Sequence, residues 1–150
     1  MTTIKQLCQK DYRSIKQIYR GAFDLTEHPI YDLLDSWNTR SKENSYGIFN
    51  SDGMIGFAIC SFNKKYGSNM YLDYIAIDEA FRGQGYGSVL LKHLIDVCYR
   101  EHRSLHLFPD SFQVAAWYKM FGFYETLDRD PIEGKPQYYL NWHSYSRRAR

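Results

Sequence analysis

Six consecutive residues, Arg82-Gly83-Gln84-Gly85-Tyr86-Gly87, carry the densest chemical signal in the chain. Glycines let a backbone turn sharply and come close to a ligand. The stretch lies between an apolar run, 70–78, and residues 86–100, where Leu90, Leu91, Leu94, Ile95 and Cys98 recur at helical spacing. Strand, glycine turn and helix in that order make an anion site. The first amides of a helix lack intrahelical partners, and the helix dipole favours negative charge at that end. Arg82 is expected to add a cation at the rim. The ligand this chemistry selects is a phosphate or diphosphate.

The glycine spacing excludes two nucleotide motifs. A dinucleotide fingerprint needs G-x-G-x-x-G, with an acidic residue about 20 positions on. Here position 88 is Ser, and 103–107 reads Arg-Ser-Leu-His-Leu, without a carboxylate. A P-loop needs Gly-Lys followed by Ser or Thr, and neither tripeptide occurs. The turn reads instead as R-x-x-G-x-G, with Arg82, Gly85 and Gly87 in register. After a strand and opening a helix, that pattern resembles the GCN5-related N-acetyltransferase (GNAT) superfamily, in which the turn holds the pyrophosphate of acetyl-CoA. The resemblance continues in Val114–Phe123, which is similar to the family's A-x-x-x-Y-x-x-x-G-F signature. Tyr118, Gly122 and Phe123 fall in place; Val114 replaces the usual Ala, and Ser111 stands where Asn is frequent. The resemblance is close over 70–126 and looser over 1–69.

The elements that must position these residues follow from periodicity and turn chemistry. Residues 2–7 read as a first strand, and Asp11 is expected to cap a helix to about Ala22, with Ile15, Ile18, Tyr19 and Ala22 inward. A second helix starts near Pro29 and places Ile30, Leu33, Leu34 and Trp37 on one face, before a loop over 38–45. Residues 45–50 and 54–62 form a hairpin through Ser51-Asp52-Gly53. After a turn over 63–69 come the strand 70–78, the helix 86–100, a strand over 104–108 and a helix over 111–121 that ends at Gly122. Residues 123–127 and 137–142 close the chain as two strands. This order predicts an α/β (α+β) mixed sheet, and its hairpins exclude a doubly wound fold. The resemblance implies a GNAT-like acyl-CoA acyltransferase fold. Its central sheet is mostly antiparallel, splayed at 70–78 and 104–108 and flanked by helices.

Composition sets further bounds. A chain of 150 residues makes one domain, 1–150, able to bury about two-thirds of its unfolded surface. With 44% hydrophobic and 24% charged residues it is globular. No apolar run spans a membrane and the N-terminus carries no secretory h-region. Cys8, Cys60 and Cys98 are scattered, with no C-x-x-C and no H-E-x-x-H, so no disulfide framework or metal site is expected and a cytoplasmic location fits. Cys98 reads as a buried small hydrophobe and Cys60 as a core strand residue, and His102 and His106 as ordinary surface or strand residues. A net charge of +2 does not point to nucleic acid.

The resemblance also implies a mechanism. Residues 83–88 (Gly83, Gln84, Gly85, Tyr86, Gly87, Ser88), together with Arg82 and Ser111, would bind acetyl-CoA. The pantetheine arm would pair with the backbone of Ile75, Ala76 and Ile77. The Ile75 amide would polarise the thioester carbonyl. The acceptor is a primary amine, mostly protonated near neutral pH because its pKa is about 10.4, so a base is needed. Strand alternation puts Tyr71 and Asp73 on one face with Ile75 and Ile77, and Asp73 is the candidate base. Its alternative is a local hydrogen bond or contact with acceptor charge. Tyr118 matches the family's general acid for the thiolate leaving group; otherwise it packs helix on sheet. Transfer is direct, with no acyl-enzyme and no metal.

The acceptor, a small-molecule, protein or peptide amine, would be selected by 23–37 and 133–142, with Glu27, Tyr31, Tyr71 and Tyr139 as contacts and Asp32 and Asp35 on a solvated helix face. A homodimer through the late strands is implied by the resemblance. Two rival readings remain: a non-catalytic acyl-CoA-binding module, and nucleic-acid binding through Trp142, Tyr145, Arg147, Arg148 and Arg150.

Overall fold

The computed structural model describes residues 1–62 and 67–141. The basic aromatic tail and most of the turn expected over 63–69 lie outside these residues. Among the described residues no helix is long and apolar enough to cross a membrane.

The chain runs β1 (Thr3–Gln6), α1 (Tyr12–Ala22), α2 (Ile30–Thr39), β2 (Tyr46–Asn50), β3 (Gly53–Phe62), β4 (Met70–Ile77), α3 (Tyr86–Arg100), β5 (Leu105–Leu107), α4 (Phe112–Lys119), β6 (Tyr124–Arg129) and β7 (Pro136–Leu140). Short 3-10 turns at Gln9–Asp11 and Glu79–Phe81 precede α1 and the glycine turn. Seven strands hydrogen-bond in the order β1-β2-β3-β4-β5-β7-β6. The ladders β1/β2, β2/β3, β5/β7 and β6/β7 are antiparallel. The β4/β5 ladder is parallel, with rungs at Met70↔Leu105 and Tyr71↔His106. A parallel pair needs a long crossover, and α3 supplies it. The expected mixed, mostly antiparallel sheet flanked by helices is therefore present.

The described residues fold as two compact units, one of residues 1–61 and 72–94, the other of 62, 67–71 and 95–141. The first is built on Leu7, Ile15, Ile18, Tyr19, Leu33, Trp37, Phe57, Ile59 and Ala76, with Tyr12, Phe23, Ile30, Met54 and Tyr74 packed around them. Burying such a set removes apolar surface from water at roughly 25 cal/mol per Å². Along α3 the stripe Leu90, Leu91, Leu94, Ile95 and Cys98 is buried, as its spacing requires. In the second unit Leu105, Leu107, Ala115, Tyr118, Phe123, Tyr138 and Leu140 are buried.

Local departures from the expected elements have physical causes. Asp11 does not cap α1: its carboxylate accepts from the Cys8 N–H at 2.8 Å and from Cys8 Sγ at 3.4 Å, closing the 3-10 turn instead. Ala22 is exposed, and Leu34 is 44% exposed, because periodicity marks a face without saying how far its partner extends. Helix α2 continues to Thr39, whose Oγ1 donates back to Asp35 O at 3.0 Å. Helix α4 begins after Ser111, which caps it, and β5 shrinks to three residues.

Candidate active site

The glycine turn lies in the first unit. Asp78 accepts from the Ala80 N–H at 3.0 Å and sets the 3-10 turn that delivers the chain to Arg82. Gly83 and Gly85 follow with φ of +78° and +87°. A Cβ at either position would meet nothing within 4 Å. Glycine is thus required by backbone conformation and not by crowding, and the surface beside the turn is open. The first bond recorded at this helix start is Val89 N–H to Gly85 O, 3.1 Å. The amides of Gly83 to Ser88 have no acceptor among the described residues, at the positive end of a 15-residue helix.

Arg82 Nε donates to Ile77 O at 3.0 Å and its Nη2 to Gly21 O at 3.2 Å. The guanidinium straps the end of β4 to the last turn of α1, and these bonds fix the position of an exposed cation next to the glycine turn in sequence.

Asp73 sits on β4 in a half-buried position. Ser61 Oγ donates to its Oδ1 at 2.6 Å, and the Ser36 hydroxyl of α2 acts with it to lower the carboxyl pKa. Burial pushes its pKa up to about 6, against the opposing pull of the two hydroxyls. It therefore stays largely ionised at neutral pH while being a stronger base than an ordinary carboxylate.

Strand alternation holds along β4: Met70, Leu72 and Ala76 are buried and Tyr74 packs against the core, while Tyr71, Asp73, Ile75 and Ile77 are half-buried. Tyr74 meets Tyr19 edge-on, centroids 5.2 Å apart, and Phe23 at 5.3 Å. His28 lies 5.6 Å from Phe23, and its carbonyl accepts from Tyr19 Oη at 2.9 Å. The Tyr74 phenol is driven upward in pKa by burial, then by Tyr19, Asp32 and Asp73. Asp32 is consequently half-buried beside this cluster and not on the solvated face expected of it; Asp35 is exposed. Glu27 is exposed, and Tyr31 is 63% exposed.

The second unit holds the remaining expected residues. Ser111 Oγ accepts from the Val114 N–H at 3.2 Å and so serves as the N-cap of α4. At the other end Gly122, φ +100°, closes the helix. Its N–H donates to Lys119 O at 3.0 Å, and the Phe123 N–H donates to Tyr118 O at 3.4 Å. The Tyr118 and Phe123 rings lie 5.4 Å apart. Together these contacts make a Schellman cap with its hydrophobic clasp. The spacing Tyr-x-x-x-Gly-Phe thus has a folding role of its own. Tyr71 packs on His106 at 5.1 Å and Phe108 at 6.1 Å. Tyr139 Oη accepts from Asn69 Nδ2 at 3.2 Å. His106 is fully buried, and burial lowers its pKa to about 4.

Burial pushes the Cys98 thiol up to about 12, and Cys60 is fully buried. Sequence reasoning missed Ser61, Ser36, Tyr74 and Tyr19 as members of the site. Only Tyr74 carried a signal, as a polar-tipped residue next to Asp73 within the same strand.

Comparison with known proteins adds to this geometry. The sequence model of the Acetyltransferase (GNAT) family matches residues 10–123. No curated protein matches the chain by sequence. Solved structures do match in fold. The ribosomal-protein-S18-alanine N-acetyltransferase of Escherichia coli superposes with a TM-score of 0.68 at 23% identity, covering 93% of this chain and 90% of its own. Arabidopsis thaliana Naa50, in complex with the bisubstrate analogue CoA-Ac-MVNAL, gives 0.68 at 22% identity, covering 92% and 95%. The PaiA N-acetyltransferase of Thermoplasma acidophilum, in complex with coenzyme A, gives 0.71 at 15% identity, covering 94% and 99%.

Proposed function

The chain belongs to the GNAT family of acetyltransferases, and on that footing we propose that it transfers an acetyl group from acetyl-CoA to a primary amine by direct attack. One observation carries the reading: the turn at 83–88 presents amides without acceptors, held by two left-handed glycines and open to solvent. Such a turn fits a diphosphate. Coenzyme A in the PaiA structure and a CoA conjugate in the Naa50 structure support the choice of ligand.

The rest of the assignment follows from the chemistry of acyl transfer. The pantetheine arm would lie along Ile75, Ala76 and Ile77, pairing with backbone groups of β4. The Ile75 N–H would donate to the thioester oxygen as it becomes an oxyanion. The amine nitrogen attacks the carbonyl carbon and loses its proton to Asp73, directly or through a water. The tetrahedral intermediate then collapses, the C–S bond breaks, and the CoA thiolate takes a proton from the Tyr118 hydroxyl. A thiol near 8.5 and a phenol near 10 are close enough, as rough model values, for that transfer. The buried, protonated Cys98 favours direct transfer over an acyl-enzyme.

Glu27 and Tyr31 stand exposed on the segment leading into α2 and at its start, which suits contact with a cationic acceptor. Tyr71 and Tyr139 are the proposed contacts from the second unit. Ser111 would reach the cosubstrate only through a hydroxyl that already accepts from Val114.

The test is calorimetry with CoA, followed by thiol release from acetyl-CoA against amines, amino acids, polyamines and peptides. Uptake of CoA with acceptor-dependent release is the expected result. Uptake without release from any acceptor would leave a binding module, and no uptake would remove the proposal.

A further inference from the structure

We propose that the hydroxyls of Ser61 and Ser36 are positioning groups for Asp73, keeping its carboxylate ionised and fixed in direction while it receives the proton of the acceptor amine. The inference rests on the reading of Asp73 as the base.

The geometry is specific. Ser61 lies near the end of β3, and its Oγ donates to Asp73 Oδ1 at 2.6 Å. That length belongs to the charge-assisted class of O–H···O⁻ bonds, about 2.5–2.7 Å. Ser36 of α2 also pulls the carboxyl pKa down. A serine hydroxyl has one proton to donate, and Ser61 commits its proton to this acid. The carboxylate is therefore held from β3 besides its own strand. An ionised carboxylate accepts about four hydrogen bonds, so two hydroxyls leave room for the ammonium or its relay water.

The titratable groups around Asp73 do not do this work. On its own strand stands the Tyr74 phenol, which Tyr19 of α1 and Asp32 of α2 also face. The His28 ring lies 6.4 Å from Tyr74. None is a fixed cation. The two serine hydroxyls replace the lysine or arginine that would otherwise stabilise a sunken carboxylate. They also do so without an ion pair, which would compete with the incoming ammonium.

The experiment reads Asp73 directly, by carbon-13 NMR titration of aspartate-labelled protein, with the pH profile of kcat/KM alongside. Removing a hydrogen bond to the charged form raises a carboxyl pKa. In Ser61→Ala the Asp73 titration and the acid limb of kcat/KM should move together to higher pH by about half to one unit, roughly a 3- to 10-fold loss below the limb. The alkaline plateau should change little. Ser36→Ala should give a smaller shift in the same direction, and Ser61→Thr should restore the original titration.

A lower melting temperature with an unmoved titration would assign the serines a structural role only and overturn the inference. The reading of Asp73 is tested separately by Asp73→Asn. Full turnover in that variant removes the base itself. Crippled turnover there, beside an unmoved limb in Ser61→Ala, removes only the positioning role.

Discussion

At the end of α4, Gly122 turns the chain at φ +100°, and the groups freed by the turn are used at once: two amides find carbonyls and two rings clasp. At the start of α3, Gly83 and Gly85 turn the chain just as sharply, and the amides that follow find nothing among the described residues. Both turns belong to motifs shared with the same family. The first is complete as a piece of folding and would be there in a protein with no ligand at all. The second is incomplete until something anionic arrives. Unpaired donors on an open surface, more than the glycines themselves, mark which of two similar turns has a function.

The sharpest way to test that difference begins at Asp73. Asp73→Asn should lower kcat/KM by about 10²–10⁴-fold while leaving CoA affinity, read by calorimetry, near that of the parent. The same change should stabilise the fold. The native carboxyl is raised to about 6, so the folded state binds more protons than the unfolded state between roughly pH 4 and 6. Its burden is full above pH 6 and disappears as pH falls through that window. Denaturation at pH 7.5 should find the variant more stable by about 1–3 kcal/mol, with the advantage gone near pH 4. An advantage independent of pH would show that the charge is not what is relieved.

Next come the glycines. Gly85→Val should weaken CoA binding by about 100-fold or more, since the side chain forces the turn out of the left-handed region. Gly122→Val should cost about 1–3 kcal/mol of stability and leave the affinity within about threefold of the parent by calorimetry. Equal losses of affinity would erase the contrast. Tyr118→Phe keeps the ring clasp and the main-chain cap but removes the hydroxyl. Turnover should fall by about 10- to 100-fold with melting unchanged; unchanged turnover would leave Tyr118 as part of the cap alone. Ser111→Ala gives the smallest effect, about 1 kcal/mol of stability from the lost cap, measured in denaturant.

What could be read in advance was local. The strand 70–77, the turn and the helix 86–100 are encoded by neighbours in sequence, and the structure matches them within a residue. The Schellman cap is similarly local, and its glycine was legible although its clasp through Tyr118 was not. The carboxylate clamp was hidden for a different reason. Ser61 and Asp73 stand 12 residues apart on neighbouring strands, and pairing register between strands depends on contacts that no window of residues contains. Arg82 was read from its charge, and only the fold reveals Gly21 O as its partner.

That last partnership has a consequence for ionic strength. The guanidinium lies against the carbonyl end of α1, where the helix carries partial negative charge, so much of its field is answered within the protein. What remains to hold a diphosphate is a set of rigid main-chain dipoles acting at contact distance. Debye screening, about 10 Å at 0.1 M, strips attraction between separated charges but has little purchase on groups already touching. CoA affinity in this chain should therefore decline only gently as potassium chloride is added, where a cradle of mobile lysines would let go.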